Sequence, residues 1–163
     1  MGHMSSGIPF QATAPHDWPA LLRLVQGAFA DMQGRIDPPS SMHRLTAEAI
    51  AAQAQSGEIW VIEDAGRPVA CLFLTPDPPA LYLGKLATAA SHRGRGLARR
   101  LVATAVARAR ALGLTALTLQ TRIELTETHA ALAALGFAVT GSTAHPGFDR
   151  PTSLTMQKIL ETS

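Results

Sequence analysis

A chain of 163 residues, 47% apolar and only 16% charged, is long enough to bury one core and too apolar to remain disordered. Its formal net charge of +2 is too small to predict nucleic-acid binding, and a single cysteine excludes an internal disulfide. No apolar run approaches the ~20 residues of a membrane-spanning helix, and no basic-then-apolar leader opens the sequence, so a cytoplasmic protein without a membrane partner is expected.

Met1-Gly2-His3-Met4 reads as an expression-vector scar. Residues 1–6 are therefore expected to be scar and disordered N-terminus, and 7–160 a single domain. Ile8 to Thr13 is β-prone. Asp17 then serves as N-cap, with Pro19 in the first turn of a helix running from about Pro19 to Gln33. Its stripe is Leu21, Leu22, Leu24, Val25, Ala28 and Phe29, and Gly34 ends it. Asp37-Pro38-Pro39-Ser40-Ser41 makes the next stretch a loop. A short second helix starts at Thr46-Ala47-Glu48 and ends near Ser56-Gly57.

Glu58 to Glu63 and Pro68 to Leu74 read as an antiparallel pair across Asp64-Ala65-Gly66-Arg67. Thr75-Pro76-Asp77-Pro78-Pro79 breaks that pattern, and Leu81 to Thr88 begins a fourth strand. From about Gly96 to Leu112, apolar residues at 98, 101, 102, 105, 106, 109 and 112 trace one buried helical face, with Gly113 at C′. Leu114 to Thr121 is a strand, and Glu127 to Leu135 a helix closed by Gly136. Phe137 to Gly141 and Ser153 to Lys158 are the last strands. The order β-α-α-β-β-β-α-β-α-β-β predicts an α/β (α+β) fold: one mixed sheet with helices on both faces.

The chemistry concentrates where the fourth strand passes through Ser91-His92-Arg93-Gly94-Arg95-Gly96-Leu97-Ala98 into the third helix. Such a turn aims backbone N–H groups at one spot, where the helix dipole also favours an anion. Gly94 and Gly96 remove side chains that would block a phosphate, and Arg93 and Arg95 add positive charge. These features read as a diphosphate cradle; the alternative is a plain strand-to-helix turn with surface arginines. A P-loop would need Gly-Lys-Ser/Thr, and a dinucleotide fingerprint a third, wider-spaced glycine; neither is present.

Arg93-Gly94-Arg95-Gly96-Leu97-Ala98 is similar to the Arg/Gln-x-x-Gly-x-Gly/Ala signature of the GNAT superfamily of N-acetyltransferases. Leu86-Ala87-Thr88 stands where that family often carries Leu-x-Val, and Leu135-Gly136-Phe137 resembles its Leu-Gly-Phe ending. The element order from Ile8 to Lys158 agrees as well. The resemblance implies a GNAT-like acyl-CoA N-acyltransferase fold with splayed fourth and fifth strands. It also implies acetyl-CoA as acyl donor and a primary amine of a small molecule or peptide as acceptor. Backbone amides of Arg93, Gly94, Arg95, Gly96, Leu97 and Ala98 would hold the pyrophosphate. Backbone groups of Leu86, Ala87 and Thr88 would pair with the pantetheine arm, and the thioester would lie between the splayed strands.

Many members carry a tyrosine, general acid to the leaving thiolate, four residues before the Gly of Gly-Phe; here that residue is Leu132, and the only tyrosine is Tyr82. His129, one helical turn before Leu132, is a candidate substitute, since imidazole titrates near neutrality; the alternative is a histidine that caps the helix or meets solvent. Glu124, with Arg122, follows the fifth strand and is a candidate base acting through water, or else part of a solvated loop edge. Glu127 reads as a charge at a helix N-terminus. Cys71, in Val69-Ala70-Cys71-Leu72-Phe73-Leu74, reads as a core residue rather than a nucleophile, and Lys85 is left without a role.

The loops Arg35–Ser41 and His145–Pro151 flank the expected acceptor side. Asp37 or Asp149 would suit an amine there, and Arg35 or Arg150 a carboxylate. No histidine pair has metal-ligand spacing, so no metal is expected. An exposed final strand could support a homodimer. Two other functions compete: an acyl-CoA-binding module with little or no turnover, motivated by Leu132, and an arginine-rich helix that meets nucleic acid.

Overall fold

The computed structural model describes residues 7–30, 32 and 34–161. The expected scar and N-terminal tail, 1–6, lie outside them, as do Asp31 and Gln33 at the expected end of the first helix.

The elements follow the expected order: β1 (Phe10–Gln11), α1 (Trp18–Ala30), α2 (Ala47–Ser56), β2 (Glu58–Asp64), β3 (Arg67–Asp77), β4 (Ala80–Thr88), α3 (Leu97–Ala111), β5 (Ala116–Arg122), α4 (Thr126–Ala134), β6 (Ala138–Thr143) and β7 (Ser153–Ile159). Short 3₁₀ turns at Ser41–Arg44 and Ala90–His92 precede α2 and α3. Asp17 caps α1, its Oδ1 accepting from Ala20 N at 3.0 Å. Thr46 caps α2, its hydroxyl accepting from Ala49 N at 3.1 Å. Gly113, at φ 75°, follows α3 in the left-handed conformation that C′ favours.

One sheet orders the strands β1-β2-β3-β4-β5-β7-β6. All neighbours are antiparallel except β4 and β5, where α3 crosses and returns the chain in the same direction; α4 does the same between β5 and β6, but β7 lies between those two strands. Alternation along β3 builds two cores. Cys71 and Phe73 join Leu21, Val25 and Ile50 on the α1–α2 face, whereas Ala70, Leu72 and Leu74 join Leu101, Ala105 and Leu132 on the α3–α4 face. Glu58 locks α3 to β2 by a two-pronged pair with Arg108, Nε to Oε1 at 2.8 Å and Nη2 to Oε2 at 2.7 Å. That pair holds the Glu58 carboxyl below its ordinary 4.5.

Four expectations need correction. The first strand is two residues long rather than six. β3 does not break at Thr75 but continues through Pro76 to Asp77. Its pairing with β2 ends at Leu74, so beyond that point one side of β3 is an open edge, which tolerates proline. β6 runs to Thr143, two residues further than its sequence suggested. Finally, β7 is not an exposed edge: it lies between β5 and β6, and all six residues of β6 are exposed at the sheet margin. No helix among the described residues is long and apolar enough to cross a membrane.

Candidate active site

β4 and β5 pair only over Ala80–Ala116, Leu81–Leu117 and Tyr82–Thr118. Past those three pairs they part, because β4 holds to β3 through a bulge. Phe73 stands opposite Gly84 and Cys71 opposite Ala87, so the β4 side carries an extra residue in this stretch. The strain falls on Lys85, a non-glycine residue at φ 50°. Its carbonyl accepts from Cys71 Sγ at 3.5 Å, and its ammonium donates to Gln53 Oε1 at 3.1 Å, 5.0 Å from the centre of the Phe73 ring. Burial lowers the proton affinity of this amine. Glycine at position 84, inside a strand, is the local sequence signal for this bulge.

Cys71 is fully buried, and desolvation pushes its thiol up to about 12, so no nucleophilic thiolate forms near neutrality. Cys71→Ala is expected to bind acetyl-CoA as the wild type does. The native thiol is expected to react with iodoacetamide only on unfolding; rapid native-state alkylation would contradict its burial.

The candidate cradle stands at the mouth of the resulting cleft. Gly94 and Gly96 lie at φ 79° and 78°, where L side chains are strained, and a Cβ on either would meet nothing within 4 Å. Space in front of both glycines is therefore open. Gly96 is the N-cap of α3 and offers no side-chain acceptor, and no acidic residue occupies the first turn. Helix amides normally satisfied by a cap are left for an external anion. Arg93, Gly94, Arg95 and Gly96 are exposed, while Leu97 anchors the turn in the α3–α4 core.

On the other side, loops converge on the end of β5. Arg122 donates to the carbonyls of Pro38 at 2.5 Å and Pro39 at 3.2 Å, and burial lowers its proton affinity. Arg150 Nη2 meets Asp37 Oδ2 at 2.8 Å, and Arg35 pairs with Glu127, holding that carboxyl below its usual range. Asp37 and Glu127 thus each sit in an exposed ion pair with an arginine, worth little enough that a substrate charge could replace either partner. Glu124 Oε2 accepts from Asp37 N at 3.2 Å, while its Oε1 is buried without a partner. His129 Nε2 lies 2.8 Å from the Arg122 carbonyl; a carbonyl only accepts, so Nε2 carries a proton, and Nδ1 is the ring nitrogen left to other partners. Leu132 is buried in the α3–α4 core, 5% exposed. Glu124, Arg122 and His129 therefore gather at one end of β5, across the cleft from the bulge.

A cavity of about 320 Å³ between α1 and the turn before α2 is lined by Gln26, Phe29, Ala30, Met42 and His43, and shares no lining residue with the glycine turn. Among the described residues, no group of three or more His, Cys, Asp or Glu side chains could hold a metal.

The family model for GNAT acetyltransferases matches residues 18–137. No curated protein sequence matches the chain. Among solved structures, the ribosomal-protein-S18-alanine N-acetyltransferase of Escherichia coli is similar at TM-score 0.70 and 16% identity, covering 96% of each chain. A GNAT-family acetyltransferase from Staphylococcus aureus Mu50 is similar at TM-score 0.74 and 13% identity, over 94% of this chain and 98% of that one. Another from Elizabethkingia anophelis, with acetyl-CoA bound, gives TM-score 0.66 and 18% identity over 93% and 97%. At these identities the structures speak for the fold, and the family model spans well over half the sequence. The split sheet, the uncapped helix behind its glycine turn and the family match together show that this chain belongs to the GNAT acetyltransferase family, whose chemistry is acyl transfer from acyl-CoA.

Proposed function

We propose that residues 7–160 form one catalytic domain that moves an acetyl group from acetyl-CoA to a primary amine of a small molecule or peptide, in the cytoplasm. The observation that carries this reading is the uncapped N-terminus of α3, behind two left-handed glycines, at the mouth of the β4–β5 cleft.

Backbone amides of Arg93 to Ala98 would bind the diphosphate. The β4 backbone at Leu86, Ala87 and Thr88, beyond the last pair with β5, would take the pantetheine arm as a strand would. A β4 N–H would polarise the thioester carbonyl. The acceptor must first lose a proton. Glu124 is the supported base, because its buried, partnerless Oε1 is an acceptor waiting for an N–H. The amine nitrogen then attacks the carbonyl carbon; the C–N bond forms and the C–S bond breaks, and the proton shed by the new amide nitrogen passes through solvent to the leaving thiolate. With Leu132 buried, no side chain at that position donates the proton, and a thiol of ordinary acidity leaves tolerably without one. His129 holds its Nε2 proton on the Arg122 carbonyl, so its remaining route into the reaction is through Nδ1. A second copy could add to the margin strand β6.

Calorimetric titration of acetyl-CoA, followed by thiol release across an amine panel, tests this reading. Saturable binding and release with at least one amine are expected. Glu124→Gln should lower kcat by about 100-fold, the lower range for loss of a positioned base, with donor affinity unchanged. Saturable binding with no release from any amine would instead establish an acyl-CoA-binding module, the reading that buried Leu132 favours.

A further inference from the structure

The glycine turn is a costly thing to keep ordered. Two of its residues adopt left-handed backbone, residues 93–96 are exposed, and glycine loses more freedom on ordering than any other residue. Backbone bonds from Ala89 N to the Val69 carbonyl at 2.8 Å, and from His92 N to the Ala89 carbonyl at 2.9 Å, fix where the turn begins. Packing does not hold it against β2 either. A cavity of about 220 Å³ lies there, with Asp64, Val69, His92, Arg95, Leu97 and Arg100 in its lining.

His92 reaches across that gap. His92 Nε2 lies 2.7 Å from Asp64 Oδ2, at the end of β2 and 28 residues away in sequence. Its Nδ1 lies 2.8 Å from Ser91 Oγ. A carboxylate accepts, so Nε2 carries a hydrogen, and Nδ1 pairs with the Ser91 hydroxyl, which can give or take a hydrogen; both ring nitrogens are satisfied. The ring is 17% exposed, shielded enough for a bond to a carboxylate to count. His92 immediately precedes Arg93, the first residue of the candidate cradle.

We propose that His92 is a positioning residue for the acyl donor: through Asp64 it holds the glycine turn in its ligand-ready shape before the ligand arrives. The inference rests on the diphosphate reading of that turn. His92 touches no ligand in this scheme. Its contribution is to lower the ordering cost that binding would otherwise bear.

Two measurements on wild type, His92→Ala and His92→Gln test it. The first is amide hydrogen exchange of the ligand-free proteins. Protection over residues 89–96 should fall in His92→Ala and return in His92→Gln, whose amide can donate to Asp64, while protection in α1 and β7 stays unchanged. The second is calorimetric binding of CoA and of dephospho-CoA, which keeps the diphosphate and lacks the 3′-phosphate. His92→Ala should weaken both by the same factor, about tenfold, the lower end for loss of one hydrogen bond to a charged group. His92→Gln should recover to within about twofold for the same reason.

Unchanged affinity in His92→Ala would overturn the proposal. So would weakening confined to CoA, which would assign His92 to the 3′-phosphate, or lost protection throughout the chain, which would make the histidine merely structural. Failure of the wild type to bind either compound would sink the diphosphate reading itself, a result distinct from a wild type that binds and a variant that does not differ from it.

Discussion

Gly96→Glu is expected to bind acetyl-CoA at least ~100-fold more weakly than wild type, a loss of ~2.7 kcal/mol, while keeping its fold. The fold survives because a Cβ at this position meets nothing within 4 Å. Its steric cost is the left-handed backbone at φ 78°, about 1–2 kcal/mol for a residue with a side chain, small against the ~5–15 kcal/mol of a typical domain. The functional cost is larger. The variant places a carboxylate at the helix N-terminus, where it can take the free amides as a cap and repel an incoming diphosphate. Two unit charges ~4 Å apart near a protein surface repel by roughly 4 kcal/mol. Calorimetry with circular dichroism on the same samples reads both effects. Wild-type affinity in a folded Gly96→Glu protein would remove the cradle from the mechanism.

Leu117→Ala is expected to destabilise the chain by about 2–5 kcal/mol, the range for emptying a leucine site that cannot collapse. Leu117 is fully buried and pairs with Leu81, itself 1% exposed, in the short parallel ladder where β4 and β5 still touch. Only Ala80–Ala116 and Tyr82–Thr118 flank that pair, so little backbone is available to close over a cavity there. Urea denaturation of wild type and variant measures the loss directly. Because this ladder is the base of the cleft, the variant should also weaken donor binding at temperatures well below its melting point. A loss under 1 kcal/mol would mean that the base of the cleft is softer than its burial suggests.

Much of this was legible in the sequence, for a physical reason. The third helix wrote most of its buried face as a period of 3.6 residues, and its ends as two glycines that only special backbone angles demand; Leu112, expected on that face, is instead an exposed C-cap, and Leu97 is buried in its stead. Cradle and element order rest on such local rules. The bulge at Lys85 does not. It follows from β4 keeping register with β3 while leaving β5, a competition between strands that no single stretch records. The same holds for Pro76, acceptable in β3 only because β2 has already ended, and for β7, which takes an inner place in the sheet because β6 folds back outside it. Glu124 was legible as a candidate by its place after the fifth strand. Its buried, partnerless oxygen was not, since that depends on Asp37, 87 residues away.

The cross-links between the α1–α2 loop and the far half of the sheet have a bearing on selectivity. Arg35 with Glu127 and Arg150 with Asp37 set two positive charges against two negative ones, so these four groups cancel each other at the rim. If the acceptor enters between those loops, as the proposed function has it, these pairs add no net charge to its doorway at a distance. Such a doorway neither concentrates cations nor repels them, and it gives a polyamine no head start over an uncharged competitor. On the proposed function, discrimination would then be deferred to the interior, where Glu124 and the carbonyl-bound Arg122 would sort molecules by fit and hydrogen bonding after they have entered.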